Sequence, residues 1–334
     1  MKFQKKNTHV FWWLLACTVA AWPLGLKAGV LDAPECLVPA KANGGFDLTC
    51  KLAGALLDTG RPGRQPTSIS YLPGGIGAVA YDRMVTNRLS NPGALVAFSS
   101  GSLLNLAQGK FGPHTESDVR WVAALGADYG AIAVRADSPI RSLGDLVAQL
   151  RQDGSKVVFG AGGTVGSQDW VKAALIVKKS GRDHKSMRFV SFEGGGEALS
   201  ALQGKHVTVF CGDIAEAMQS IQAGAPVRIL AVLSDKRLPG AASTIPTARE
   251  QGLDVVWQTV RGVYVGKHVS NTDYRAWVDS FKAGMATPWF NAVRSRHGLY
   301  PFELTGTELD DFVKKSIGEY KVLVQELGVG TKRP

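Results

Sequence analysis

Short apolar runs alternate with stretches of helical periodicity along almost the whole chain. Strand-like runs fall at 36–40, 68–72, 95–99, 120–125, 156–160, 188–192, 207–211 and 228–233. Between them apolar residues recur at three- and four-residue spacing. Trp170, Ala173, Ala174 and Val177 mark one buried helix face, and Ile214, Met218 and Ile221 mark another. Ser142-x-x-Asp145, Asp213-x-x-Glu216, Thr247-x-x-Glu250 and Thr305-x-x-Glu308 each precede such a run and predict helix starts. Strands that alternate with helices predict an α/β fold with mostly parallel sheets. Two further runs, Tyr129–Ala136 and Asp254–Gly266, bracket a complete α/β unit. A unit entered by one crossing strand and left by another implies two lobes with a cleft between them. We expect lobe one to comprise 29–131 plus 258–334, with the helical segment Asn271–Leu327 packing back on it. Lobe two is expected to comprise 132–257. No Pro/Gly/Ser linker interrupts the chain, so the lobes should be joined by strands acting as a hinge.

The chain has 334 residues, enough for two ordinary cores. Residues 1–28 stand apart. Lys2, Lys5 and Lys6 precede an apolar run from Val10 to Ala21, and Leu26-Lys27-Ala28 offers a small-residue cleavage site, the pattern of a signal peptide. The run is shorter than the roughly 20 residues a spanning helix needs. Leu14-Leu15-Ala16-Cys17 resembles a lipobox, which leaves lipid anchoring as the alternative. Residues 1–28 hold four lysines and no acid, so 34 of the 38 basic side chains remain against 28 acids. The formal charge accordingly falls from +10 to +6. That mild, dispersed excess argues against nucleic-acid binding. Of four cysteines, Cys17 lies in the leader and Cys211 in an apolar run that predicts a core thiol. Cys36 and Cys50 sit on a strand and in the second turn of the next helix. An exported protein would oxidise them to a disulfide; the alternative is two buried thiols.

Glycine-rich turns recur where strands hand over to helices: Asn43-Gly-Gly-Phe-Asp47, Pro73-Gly-Gly-Ile-Gly-Ala78 and Ala161-Gly-Gly-Thr-Val-Gly-Ser167. Ser99-Ser-Gly-Ser102 makes a fourth turn of the same chemistry. Free N–H groups at helix starts favour anions, and glycine lets a ligand approach the backbone. Tight turns alone would also explain any one of them. Glu193-Gly-Gly-Gly-Glu197 would repel an anion and reads as a cleft-edge loop or a structural turn. Asp213, at a strand end, is either a helix N-cap or an acceptor for a ligand hydroxyl. Arg261 is the best-placed cation for a ligand carboxylate, with a structural ion pair across the hinge as the other reading. Nucleotide-binding fingerprints, nucleophile elbows and metal-ligand spacings are absent from the sequence, and His114 and His268 read as surface loop residues. Nothing in the pattern asks for an enzyme or a cofactor.

Several ungapped words resemble one known family. They are Pro34–Lys41, Gly44–Lys51, Tyr71–Tyr81, Ser99–Gly112, Gly162–Trp170, Glu193–Glu197 and Ile245–Gly252. In order, they resemble the tripartite tricarboxylate transporter substrate-binding proteins, the Bug-type periplasmic receptors, and within them the citrate-type branch. The resemblance implies a two-lobed fold like the type II periplasmic binding proteins. It also implies a monomeric receptor that delivers citrate or a related tricarboxylate to a membrane permease pair. A carboxylate-sensing module feeding a membrane kinase would need the same cleft. Carried over, the ligand contacts are Gly44, Gly45, Phe46, Gly74, Gly75, Ser100, Gly163, Thr164, Ser167 and Asp213. Where the family commonly has Pro-Gly-Gly-Gly, this chain has Ala42-Asn43-Gly44-Gly45.

Overall fold

The computed structural model describes residue 1 and residues 30–330, apart from 43, 60–62, 64 and 87–90. The leader, its cleavage site, the lipobox-like segment and Asn43 lie outside the described residues. Among the described residues, no helix is long and apolar enough to cross a membrane.

The first part of the chain is three strand–helix units. They are β1 (Glu35–Val38) with α1 (Gly45–Thr59), β2 (Ser68–Tyr71) with α2 (Ala78–Val85), and β3 (Ala94–Ser99) with α3 (Ser100–Ala107). A long strand, β4 (Val119–Arg135), follows. Next comes α4 (Leu143–Asp153), then three more units: β5 (Val158–Gly162) with α5 (Gln168–Lys179), β6 (Arg188–Phe192) with α6 (Gly195–Gln203), and β7 (Val209–Asp213) with α7 (Ile214–Gln222). The remainder is β8 (Val227–Val232), β9 (Gln258–Gly266), α8 (Asn271–Met285), α9 (Pro288–Arg296), β10 (Leu304–Thr305) and α10 (Gly306–Leu327). Ser142 and Asp145 cap α4 reciprocally, as their spacing predicts. Thr305 makes no such side-chain bond on α10, being held in β10 opposite Ala123.

The α/β class holds, but the sheet is mixed rather than mostly parallel. Strands run in the order β2-β1-β3-β9-β4-β7-β5-β6, with β8 and β10 also paired to β4. Pairing is parallel on the wings, β2-β1-β3 and β7-β5-β6. It is antiparallel at the centre because β4 and β9 run against their neighbours. The runs predicted at 120–125 and 129–136 fall in one almost entirely buried 17-residue strand, Val119–Arg135, with Ala136 just beyond it. Its first part pairs with β9, from Val119 opposite Gly266 to Tyr129 opposite Gln258. From Gly130 onward it pairs with β7 and β8 instead. Of the run 254–266, only Gln258–Gly266 is strand; Val255 and Trp257 are drawn into the apolar core beside α4 and α5.

Each wing has its own core. Trp277, Phe281 and Phe290 close one face of the first wing, and Tyr81, Phe98, Trp121 and Tyr264 close the other with tilted and edge-on ring contacts. The second wing is packed by Leu146, Phe159, Val171, Ile176 and Val209. Helix α10, expected to pack on the first wing, reaches both wings. Leu309, Val313 and Ile317 pack there, but Val324 and Leu327 enter the core of the second. Tyr320 stacks on Trp257 with centroids 5.7 Å apart. Cys36 and Cys50 form the expected disulfide with Cα atoms 5.5 Å apart, and Cys211 is a buried thiol.

Candidate functional site

The point where β4 exchanges β9 for β7 carries a buried chain of alternating charges. On β9, Arg261 stands opposite Gly126 and is 4% exposed. Its Nη2 donates to Asp213 Oδ2 at 2.9 Å and lies 3.6 Å from Asp128 Oδ2. Asp213, the last residue of β7, accepts at Oδ1 from Lys172 Nζ (2.6 Å) and Thr259 Oγ1 (3.1 Å). Lys172 also donates to Asp169 Oδ1 at 2.7 Å and to the Gly212 carbonyl at 3.0 Å. The sequence Asp169–Lys172–Asp213–Arg261–Asp128 is therefore acid, base, acid, base, acid. Isolated charges at this depth would be costly; shared hydrogen bonds between opposite charges make them tolerable.

Asp213 occupies the N-cap position of α7 but makes no capping bond, contrary to one reading of its sequence context. Two cations hold its carboxylate elsewhere. The cap is supplied from β4 instead, since Asp128 Oδ1 accepts from the Ala215 amide at 3.3 Å and the Tyr129 amide at 2.8 Å. Burial alone would raise the Asp213 carboxyl, but Lys172 and Arg261 outweigh it and hold it below its ordinary value. Asp128 is pushed up to about 7 by burial and then by the neighbouring Asp213. Glu216, in the first turn of α7, is pushed up to about 8 by the same two causes.

A cleft of about 240 Å³ opens onto this charge chain between the first turns of α1 and α7. Gly44, Gly45, Asp128, Glu216, Arg261 and His297 are among its walls. Gly45 is required by the packing, because a Cβ there would stand 1.9 Å from Arg261 Nη1. Of the predicted contacts, Gly44, Gly45 and Arg261 line the cleft and Asp213 lies directly behind it. Phe46 instead packs against the core of the first wing.

A second meeting of the two wings lies at the loops. Gly74, Gly75, Ile76 and Gly77 all have positive φ, at 151°, 56°, 53° and 100°. The Ile76 side chain from this loop comes within 3.5 Å of where a Gly163 Cβ would be. Gln108 Nε2 donates to the Gly166 carbonyl at 2.6 Å, and Lys110 Nζ reaches the Val165 carbonyl at 3.3 Å. Lys41 pairs with Glu193 at 3.3 Å, placing the Glu193 turn at the mouth between wings. Thr164 is exposed in this loop. Ser167 caps α5 through Trp170 and donates to the Gly162 carbonyl.

Ser100 is elsewhere. Its hydroxyl donates to the Gln258 carbonyl and accepts from the Val260 amide, clamping α3 to β9. It borders a separate cavity of about 290 Å³ with Trp257 and Tyr320. His114 is not a surface residue but half-buried, with Nε2 3.1 Å from Asp82.

Sequence reading missed Asp128, Asp169, Lys172, Glu216 and His297. The signal for the first three was present. Lys172 and Asp169 interrupt the apolar face of α5 at i,i+3 spacing, and Asp128 interrupts an otherwise apolar strand. An ionisable residue at an apolar position of a core element marks a partner on another element.

Comparisons with known proteins agree with this architecture. Residues 94–329 match the tripartite tricarboxylate transporter family receptor (TctC) model. The chain is 21% identical to the UPF0065 protein in the gbd 5' region of Cupriavidus necator, over 64% of this chain and 63% of that protein. Among solved structures it is similar to the Rhodopseudomonas palustris protein Rpa4515, solved with adipate. Identity there is 18% and TM-score 0.79, covering 89% of this chain and 98% of that one. It is also similar to MatC of R. palustris, solved with bound malate, at 20% identity and TM-score 0.74, covering 87% and 98%. With the receptor model matched across both wings and the crossing strands between them, the chain belongs to the tripartite tricarboxylate transporter receptor family of extracytoplasmic solute-binding proteins.

Proposed function

We propose that this receptor captures a small organic carboxylate in the cleft between α1 and α7 and delivers it to the membrane subunits of a tripartite transporter. The observation that carries the reading is the start of α1 at Gly44 and Gly45, pressed against the Arg261 guanidinium in a cleft walled by both wings. A helix N-terminus beside a guanidinium attracts a carboxylate from two directions. In this reading residues 29–131 with 258–334 form one lobe and 132–257 the other, hinged where β4 changes partners. The leader exports the chain to the periplasm, where it acts as a monomer. Gly74, Gly75, Gly163 and Thr164 close the mouth, and a ligand that touches both lobes selects the closed state by its differential affinity.

Malate in MatC and adipate in Rpa4515 support a dicarboxylate-sized ligand. Citrate or a related tricarboxylate is the member of the class that the sequence words favour. Thermal unfolding of ligand-stripped protein against di- and tricarboxylates, sugars and neutral amides tests the proposal. An acid at about 100 times its dissociation constant adds roughly 2.7 kcal/mol, a rise of several degrees. A flat response to every acid would refute it.

A further inference from the structure

The cavity of about 290 Å³ beside the start of β9 shares no wall with the cleft between α1 and α7. Both wings build it: Ser100 and Gln258 belong to the first, and Leu175 of α5 to the second. Helix α10 closes it with Phe312, Tyr320 and Leu323. Most of the surface is therefore apolar. Tyr320 lies on Trp257 with ring planes 19° from parallel and centroids 5.7 Å apart, so the two present one continuous aromatic wall. An apolar cavity of about 150 Å³ already takes up benzene. This one has room for two fused rings.

The polar walls decide what charge such a molecule can carry. The Ser100 hydroxyl is engaged on both sides, donating to the Gln258 carbonyl at 3.2 Å and accepting from the Val260 amide at 2.9 Å. Gln258 Nε2 donates to the Tyr129 hydroxyl at 3.1 Å. Neither is left to hold an anion. Among the described residues, Lys, Arg and His are absent from the walls, and Glu319 is the one charged side chain there. Lys315 stands 3.9 Å from Glu319 on the exposed face of α10, a contact too loose and too wet to neutralise it. The buried Lys172 acts on Tyr320 from behind, but Asp169 and Asp213 already balance it. The cavity thus joins aromatic faces to an uncompensated carboxylate.

We propose that this cavity is a second small-molecule site, taking an arylalkylamine with its ring against Trp257, Tyr320 and Phe312 and its ammonium beside Glu319. The negative faces of the rings and the carboxylate both favour a cation there. A ring carrying a carboxylate meets Glu319 with no cation to hold it, so the acids suited to the cleft are turned away. The site is independent of what the cleft binds. Its occupant touches both wings beside the strand that crosses between them.

Three molecules built on one ring test the chemistry: tryptamine, indole-3-acetamide and indole-3-acetate carry a cation, a neutral amide and an anion. Their affinities are measured by titration calorimetry on ligand-stripped protein near neutral pH. Tryptamine should bind about tenfold tighter than the amide, and indole-3-acetate more weakly than either. Glu319→Gln, on the exposed face of α10, should remove most of tryptamine's advantage and leave the amide unchanged. Ser316→Phe, which fills the cavity from α10, should abolish binding of both. Should that variant fail to fold, the Glu319→Gln comparison decides alone. Binding by none of the three overturns the proposal, as does equal binding by all of them. So does a tryptamine preference that survives Glu319→Gln, or undiminished binding to a folded Ser316→Phe variant.

Discussion

Lys172 is 0% exposed and is shared by two carboxylates, so its replacement reveals what the charge chain is worth. Lys172→Met leaves Asp169 and Asp213 facing each other without their common cation. Breaking a buried pair from one side costs about 3–5 kcal/mol, and urea unfolding should register a loss of that order. Asp128 and Glu216 set the pH dependence. Their folded carboxyls titrate near 7 and 8, above ordinary values of 3.8 and 4.5. Between those limits the folded state holds more protons than the unfolded one, so stability falls as pH rises through this window. For Asp128, facing Asp213, Arg261 and Lys172, the fall is on the order of 2–4 kcal/mol, and Asp128→Asn should flatten that part of the stability curve. The same protons govern binding. As pH rises from 6 to 8 (about one unit either side of the lower value), Asp128 and Glu216 gain negative charge and plain dicarboxylates should bind less tightly. Calorimetric titrations across that range test the sign.

The first helix is pinned to its strand by the disulfide between Cys36 and Cys50, which are 14 residues apart. Closing a loop of about that length restricts the unfolded chain by about 3 kcal/mol. A Cys36→Ala, Cys50→Ala double variant should therefore lose roughly that stability and melt several degrees lower. Helix α10 is the other tie. Leu327 is 1% exposed in the second wing's core, while Leu309 is anchored in the first. Leu327→Ala should cost about 2–5 kcal/mol in urea unfolding, a full core penalty despite its place in the last turn. The strap was invisible in the sequence because periodicity identifies a helix's apolar face but not which core receives each end. Most strand runs on the wings were legible within a residue or two, since short buried apolar runs have few alternatives, but the two runs that fuse into β4 and the start of β9 were not. The antiparallel centre was not, because direction is set by what pairs across β4 rather than by any local pattern.

For the molecule as a whole, the cleft follows from one device: a single long strand that serves two sheets, with charges placed where it changes partners. The glycine turns at Gly44 and Gly74 were readable as local sequence patterns at strand-to-helix junctions, and at Gly74 and Gly75 the backbone takes the positive φ that favours glycine. The hydrogen bonds of Ser100 to the backbone of β9 were not legible, because they join positions 158 residues apart and no local motif encodes them. Arg261 was readable as a cation near the hinge, but Lys172, which shares Asp213 with it, was hidden within a helix read for its apolar face. The most direct test is a crystal structure of the protein with the tightest-binding acid of the ligand panel. The ligand should lie between the first turns of α1 and α7, with a carboxylate beside Gly45 and Arg261. Density instead in the cavity bordered by Ser100, Trp257 and Tyr320, or confined to the loops at Gly75 and Gly163, would contradict the account.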